Sequence, residues 1–190
     1  MQPHRFRPLL SAALLALVMA ATRYQHFGDA LHLPDASLAV FFLAGLLTSS
    51  ALVFPALLLE AGLIDALAIG VGGVSDYCVT PAYGFLVPAY GVLWLAGRWL
   101  AARHATRRRV ALPALYAVLL VAVSAAFLIS NTGFYAYSGR VPGLTLADYA
   151  TAVAGFFPPY ALGAFGYVTV TILLHAIATR AGRAPEPDRG

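Results

Sequence analysis

One cysteine, Cys78, occurs in 190 residues, in a polar and turn-rich stretch that reads Gly72-Gly73-Val74-Ser75-Asp76-Tyr77-Cys78-Val79-Thr80-Pro81. A solitary thiol cannot close an intrachain disulfide, so its uses are packing, metal ligation or redox chemistry. As a thiolate it is a soft donor suited to a transition metal. Its neighbours Asp76, Tyr77 and Pro81 argue against burial in lipid. His26, in Tyr24-Gln25-His26-Phe27-Gly28-Asp29, is either an interfacial hydrogen-bonder or a ligand contact facing the same cavity as Cys78. Asp65 and Glu60 are carboxylates inside one apolar run, where an isolated charge is expensive and a partner is expected. Five positions place them about 140° apart around a helix, so they cannot share a face. Asp65 lies nearer the polar stretch and is the better candidate for a site; Glu60 is protonated or paired near mid-span.

The elements that must position these residues are apolar. The chain is 61% hydrophobic and 11% charged, with a mean hydropathy of +0.78. Soluble domains carry about 25% charged residues, so a water-facing surface is excluded and a bilayer is the expected solvent. Helices of about 20 residues cross its hydrocarbon core, and six fit: 9–21, 36–47, 51–71, 83–101, 110–130 and a long stretch at 149–179. Phe156-Phe157-Pro158-Pro159 should break the last into an entry piece and the membrane helix proper. Pro55 and Pro88 fall inside helices, which membrane bundles tolerate. The fold class is therefore an all-α integral membrane protein, a six-helix bundle in one domain spanning 1–180, with a disordered tail at 181–190. The arginine-containing start of the first run also resembles a cleavable secretory signal.

All 12 basic residues are arginines, giving a net charge of +4. Ten of them fall before residue 8, between 98 and 109, or from 180 onward; only Arg23 and Arg140 lie in the other loops. This asymmetry places both termini and the basic fourth loop in the cytoplasm, and no aromatic or Gly-rich pattern accompanies the charges to suggest nucleic acid. The loops at 23–35, 72–82 and 131–148 then share the outer face and carry most of the polar and aromatic content, as an outward-facing ligand cup would. Tyr24, Tyr77, Tyr83, Tyr135 and Tyr137 gather at that face, and Trp94 and Trp99 at the other. Ala12, Ala16 and Ala20 form a small-residue stripe that packs internally or docks a partner helix. Motifs for ATP hydrolysis, zinc proteases and serine hydrolases are absent.

The six spans, the polar odd-numbered loops and the alanine stripe resemble substrate-binding S-components of energy-coupling-factor (ECF) vitamin transporters. Arg23-Tyr24-Gln25-His26-Phe27-Gly28 and Asp76-Tyr77-Cys78 look like BtuM-type cobalamin transporters of the bacterial inner membrane. The resemblance implies a corrinoid held in the outer cup. Cys78 would ligate cobalt and assist removal of the upper cyanide, while His26, Asp65 and Tyr83 would line the pocket, with Tyr77 and Tyr24 as further contacts. It also implies that Ala12, Ala16 and Ala20 dock onto a transmembrane coupling subunit with its ATPases, although some members act without that module. Two other readings stay open: a membrane redox protein binding haem or quinone through histidines such as His26, His32 or His175, and a scaffold subunit that binds nothing.

Overall fold

The computed structural model describes residues 6–23, 34–104 and 111–181, with side chains described for 9–23, 34–103 and 111–178. Among the described residues seven helices run in the order α1 (Phe6–Arg23), α2 (Ser37–Leu47), α3 (Val53–Gly70), α4 (Leu86–His104), α5 (Leu112–Tyr137), α6 (Leu146–Ala154) and α7 (Phe157–Ala181). A short 3-10 turn, Pro81–Phe85, leads into α4. Among the described residues four segments are long and apolar enough to cross a membrane: α3, the turn with α4, α5 and α7. Together with two shorter apolar helices, α1 and α2, they suit a multi-pass membrane protein.

The centre of the bundle is α2, and its sequence explains why. Ser-Leu-Ala-Val-Phe-Phe-Leu-Ala-Gly-Leu-Leu has no polar face, so burial on all sides is the stable arrangement. Ser37 through Gly45 are all buried, Phe41 and Phe42 completely. Eleven residues reach only about 16 Å, too short to span the bilayer core, but a helix surrounded by α1, α3, α4 and α7 need not span it. The outer helices are apolar on their far sides too: Leu59, Val121, Leu162 and Leu174 each expose more than half of their surface. Hydrocarbon is the phase that tolerates such a surface.

Two glycines set the distance between α2 and α4. A side chain at Gly45 would collide with the backbone carbonyl of Trp94, and one at Gly97 with the backbone of Phe42 and Leu46. The helices therefore touch backbone to backbone, as small residues permit in membrane bundles. At this end Arg98 lies over the Trp94 ring (4.9 Å) and Arg103 over Trp99 (4.4 Å), so cations and aromatic rings share one level.

Several expectations shift. The last segment does break at Phe156-Phe157-Pro158-Pro159, where α6 ends and α7 begins with both prolines in its first turn. The fifth helix, expected to end at Ser130, continues to Tyr137, so 131–137 belong to α5 and not to a loop. Seven more helical residues keep the backbone bonded within the helix and carry Asn131 and Phe134 beyond the apolar run. Pro55 and Pro88 lie not in helix interiors but at the third position of α3 and α4, where a missing N–H breaks no intrahelical bond in an isolated helix. Arg23, read as a loop residue, is the last residue of α1 and is buried. Ala181 closes α7, and the rest of the expected tail lies outside the described residues.

Replacing Gly45 or Gly97 by alanine should cost about 1–3 kcal/mol through forced separation of α2 and α4. The apparent melting midpoint should fall by about 3–10 °C. Gly62→Ala, where nothing lies within 4 Å of the added carbon, should leave it unchanged.

Candidate functional site

A cavity of about 530 Å³ opens at the end of the bundle that carries Cys78. Its floor is a buried polar cluster centred on Arg23. The Arg23 Nε and one terminal nitrogen donate to the two carboxylate oxygens of Asp65 at 2.7 and 2.6 Å. The other terminal nitrogen donates to Ser37 Oγ (2.9 Å) and Tyr90 Oη (2.8 Å) and lies 3.5 Å from Asp35. Tyr83 donates its hydroxyl to Asp65 at 2.5 Å. Asp35 accepts from both the backbone N–H and the hydroxyl of Ser37, at 2.9 and 2.7 Å. Five segments thus meet at one guanidinium: α1, the chain entering α2, α3, the 3-10 turn and α4.

Local sequence explains each position. Asp65 follows Leu57 and Ala61 at helical spacing on the buried stripe of α3. Tyr90 is held by its ring, stacked on Phe41 of α2 at 4.3 Å, which leaves its hydroxyl to accept from Arg23. Thr80 caps the 3-10 turn by accepting from the Ala82 N–H, and Pro81 supplies the fixed φ that starts it. Phe85, at the other end of the turn, packs where Gly133 of α5 has no side chain and stacks on Tyr137 at 5.2 Å. Tyr83 is thereby aimed down at Asp65 from a turn clamped at both ends.

The walls are aromatic and amide-bearing. Tyr77, Cys78, Asn131, Phe134, Tyr149 and Phe156 line the cavity above the cluster. Tyr77 faces Phe134 at 6.1 Å, and Arg140 stacks on the outer side of Tyr77 at 5.0 Å. Short α6 closes one side through the Tyr149 hydroxyl, which donates to Asn131 at 3.2 Å. Burial, with help from nearby Tyr77, pushes the Tyr149 phenol up, so it keeps its proton and its donor role at ordinary pH.

The candidate residues separate clearly. Cys78, Tyr77, Tyr83 and Asp65 come together on this one cavity, and Cys78 is exposed. Tyr24, His26 and His32 lie outside the described residues. Among the described residues no histidine lines the cavity, and His175 sits exposed on α7. Glu60 is half-buried on α3 and does not line the cavity. Of the alanine stripe, Ala20 is exposed, while Ala12 and Ala16 are half-buried and Ala16 packs against the core. Sequence reading missed Arg23, Asp35 and Tyr90. The signal available was the unpaired Asp65 within an apolar run, which demands a cation, and Arg23 is the nearest arginine in the chain outside the basic clusters. Asn131 and Phe134 were missed because α5 was ended too early.

The chemistry of the arrangement follows from its layers. Every nitrogen of the Arg23 guanidinium donates to an internal acceptor, so the cluster ties the floor together. Above it stand flat apolar rings and one exposed sulfur, suited to a broad, planar ligand with a soft metal centre. Removing one partner of a buried pair leaves the other uncompensated at a cost of about 3–5 kcal/mol; the Arg23 and Asp65 side chains are 7% and 11% exposed. Asp65→Ala should therefore lower the melting midpoint by about 6 °C or more, and Arg23→Leu combined with Asp65→Leu should recover part of that loss. A loss in the double variant equal to the sum of the losses in the two single variants would show that the pair is not coupled. No protein-family model matches the chain, and no curated protein matches it in sequence.

Proposed function

We propose that this protein binds a corrinoid at the outer face of a bacterial inner membrane and passes it inward, as an S-component of BtuM type. The observation that carries the reading is the exposed sulfur of Cys78 on the same cavity wall as Tyr77, above the Asp65 and Tyr83 floor. A corrin is planar, and aromatic walls at Tyr77, Phe134, Tyr149 and Phe156 suit its faces and edges. The Cys78 thiolate would take one axial position on cobalt. A strong sulfur donor weakens the bond on the opposite side of the metal, so a cyanide there would leave as cyanide with its bonding pair. His26 and Tyr24 belong to this proposal as contacts from the first loop.

The cavity's wall chemistry favours this reading over histidine-ligated haem, since sulfur is the donor that the described residues supply. Docking onto a coupling subunit through Ala12, Ala16 and Ala20 is proposed from the resemblance; the exposure of Ala20 supports it, and the inward packing of Ala16 limits the contact to one edge of α1. The orientation with both termini in the cytoplasm rests on the arginine distribution.

Titrating purified protein with cobalamin should shift the visible spectrum of the corrinoid as sulfur replaces the lower ligand. Cys78→Ser should abolish that shift and weaken binding by about tenfold or more. A shift that survives unchanged in Cys78→Ser would refute thiolate ligation, and absence of any bound corrinoid would refute the reading altogether.

A further inference from the structure

We infer that the cavity is charge-selective: it admits ligands with neutral N–H donors or positive charge and excludes carboxylate-bearing ones, with Asp35 as the determinant. The inference deepens the corrinoid reading by naming which corrinoids would enter, but its charge argument stands without that reading.

The charge balance of the floor is the starting point. Arg23 is its sole cation among the described lining residues, facing Asp65 and Asp35. A guanidinium has five N–H donors. Three directions are taken: two bonds go to Asp65, and the remaining nitrogen serves Ser37 and Tyr90 at 2.9 and 2.8 Å. Asp35 is left at 3.5 Å, the longest contact in the cluster. Arg23 is thus paired with Asp65 and only 7% exposed, so little of it is open to an incoming anion. Asp35 keeps a net negative charge and is 24% exposed on the cavity. Its Oδ1 accepts twice from Ser37, which fixes the carboxylate, while among the described residues Oδ2 has only the long Arg23 contact.

The surroundings add to the imbalance. Arg140 is the other described cation at this end, and it lies over the Tyr77 ring instead of lining the cavity. Asp76 and Asp148 are exposed on the flanking segments. Among the described lining residues one arginine therefore faces two aspartates, with Arg140, Asp76 and Asp148 on the flanking segments. Inside a partly enclosed, low-dielectric cavity such an excess is felt more strongly than in water. A carboxylate entering it meets repulsion from Asp35 and a guanidinium that is already paired and buried. A primary amide or an ammonium meets the free lone pairs of Asp35. Exclusion by a placed like charge is a common route to specificity.

Two measurements test this on the full-length protein. Cys78 is the sole thiol and lines the same cavity, so the rates at which it forms a mixed disulfide with a cationic and an anionic methanethiosulfonate, each releasing methanesulfinate, report the local potential. After division by their rates with a small free thiol, the cationic reagent should be faster by about tenfold or more. The ratio should narrow severalfold in Asp35→Asn, which keeps the acceptor for Ser37, and also at high salt. A normalised ratio near one, or one unchanged by both manipulations, overturns the inference. The second measurement compares cobinamide, whose ring side chains end in amides, with cobyrinic acid, whose side chains end in carboxylates. Wild type should bind the amide form at least about tenfold more tightly, and Asp35→Asn should narrow the gap. Equal binding of the two overturns the substrate preference. If neither corrinoid binds, the proposed function falls, while the thiol rates still decide the charge selectivity.

Discussion

A single guanidinium, buried where the helices converge, is the constraint around which this bundle is organised. Moving an arginine and two carboxylates out of water is unfavourable unless every donor finds an acceptor. Here the acceptors come from α3, from the start of α2 and from α4, and Tyr83 completes the shell of Asp65 from the 3-10 turn. Displacing any one of these segments would strand a charge in apolar surroundings. The cluster therefore specifies where α1 ends and how deep the turn sits. In a bundle of largely apolar helices such a register mark matters, because leucine packs nearly as well one turn up or down.

The apolar contacts supply closeness, and the polar cluster supplies position. Gly45 and Gly97 let α2 and α4 meet at the backbone, where dispersion between well-packed atoms replaces the hydrophobic drive that lipid removes. Gly133 admits Phe85 in the same way and pins the turn that carries Tyr83. The cavity is the volume left above the cluster when α5 and α6 stand off from α1 and α3. Its polar base and aromatic sides follow from that geometry.

Function would then be read from the layers of the cup. The floor is a hydrogen-bonded cluster with Asp35 at its edge, the walls carry aromatic rings, and the Cys78 sulfur lines the cavity from the segment before the 3-10 turn. α6 is the lightest part of the wall, joined to α5 mainly through Tyr149, its hydrogen bond to Asn131 and its ring contact with Tyr135 at 5.2 Å.

Composition and apolar run lengths by themselves determined that the chain is helical, that its surface is suited to lipid, and where most helices lie, since hydropathy is a local property. The break at Phe156-Phe157-Pro158-Pro159 was equally legible, because proline acts on its own turn. The pairing of Arg23 with Asp65 was not: 42 positions separate them, and a helix-terminal arginine looks the same in sequence whether it faces water or a buried carboxylate. The extension of α5 to Tyr137 was hidden for a related reason, since Asn131 and Thr132 read as polar loop residues until α6 gives Asn131 a partner. Only the tertiary structure decided that Cys78, Tyr83 and Asp65 share one cavity, because that depends on how deep a turn is drawn in by a charge contributed from another helix.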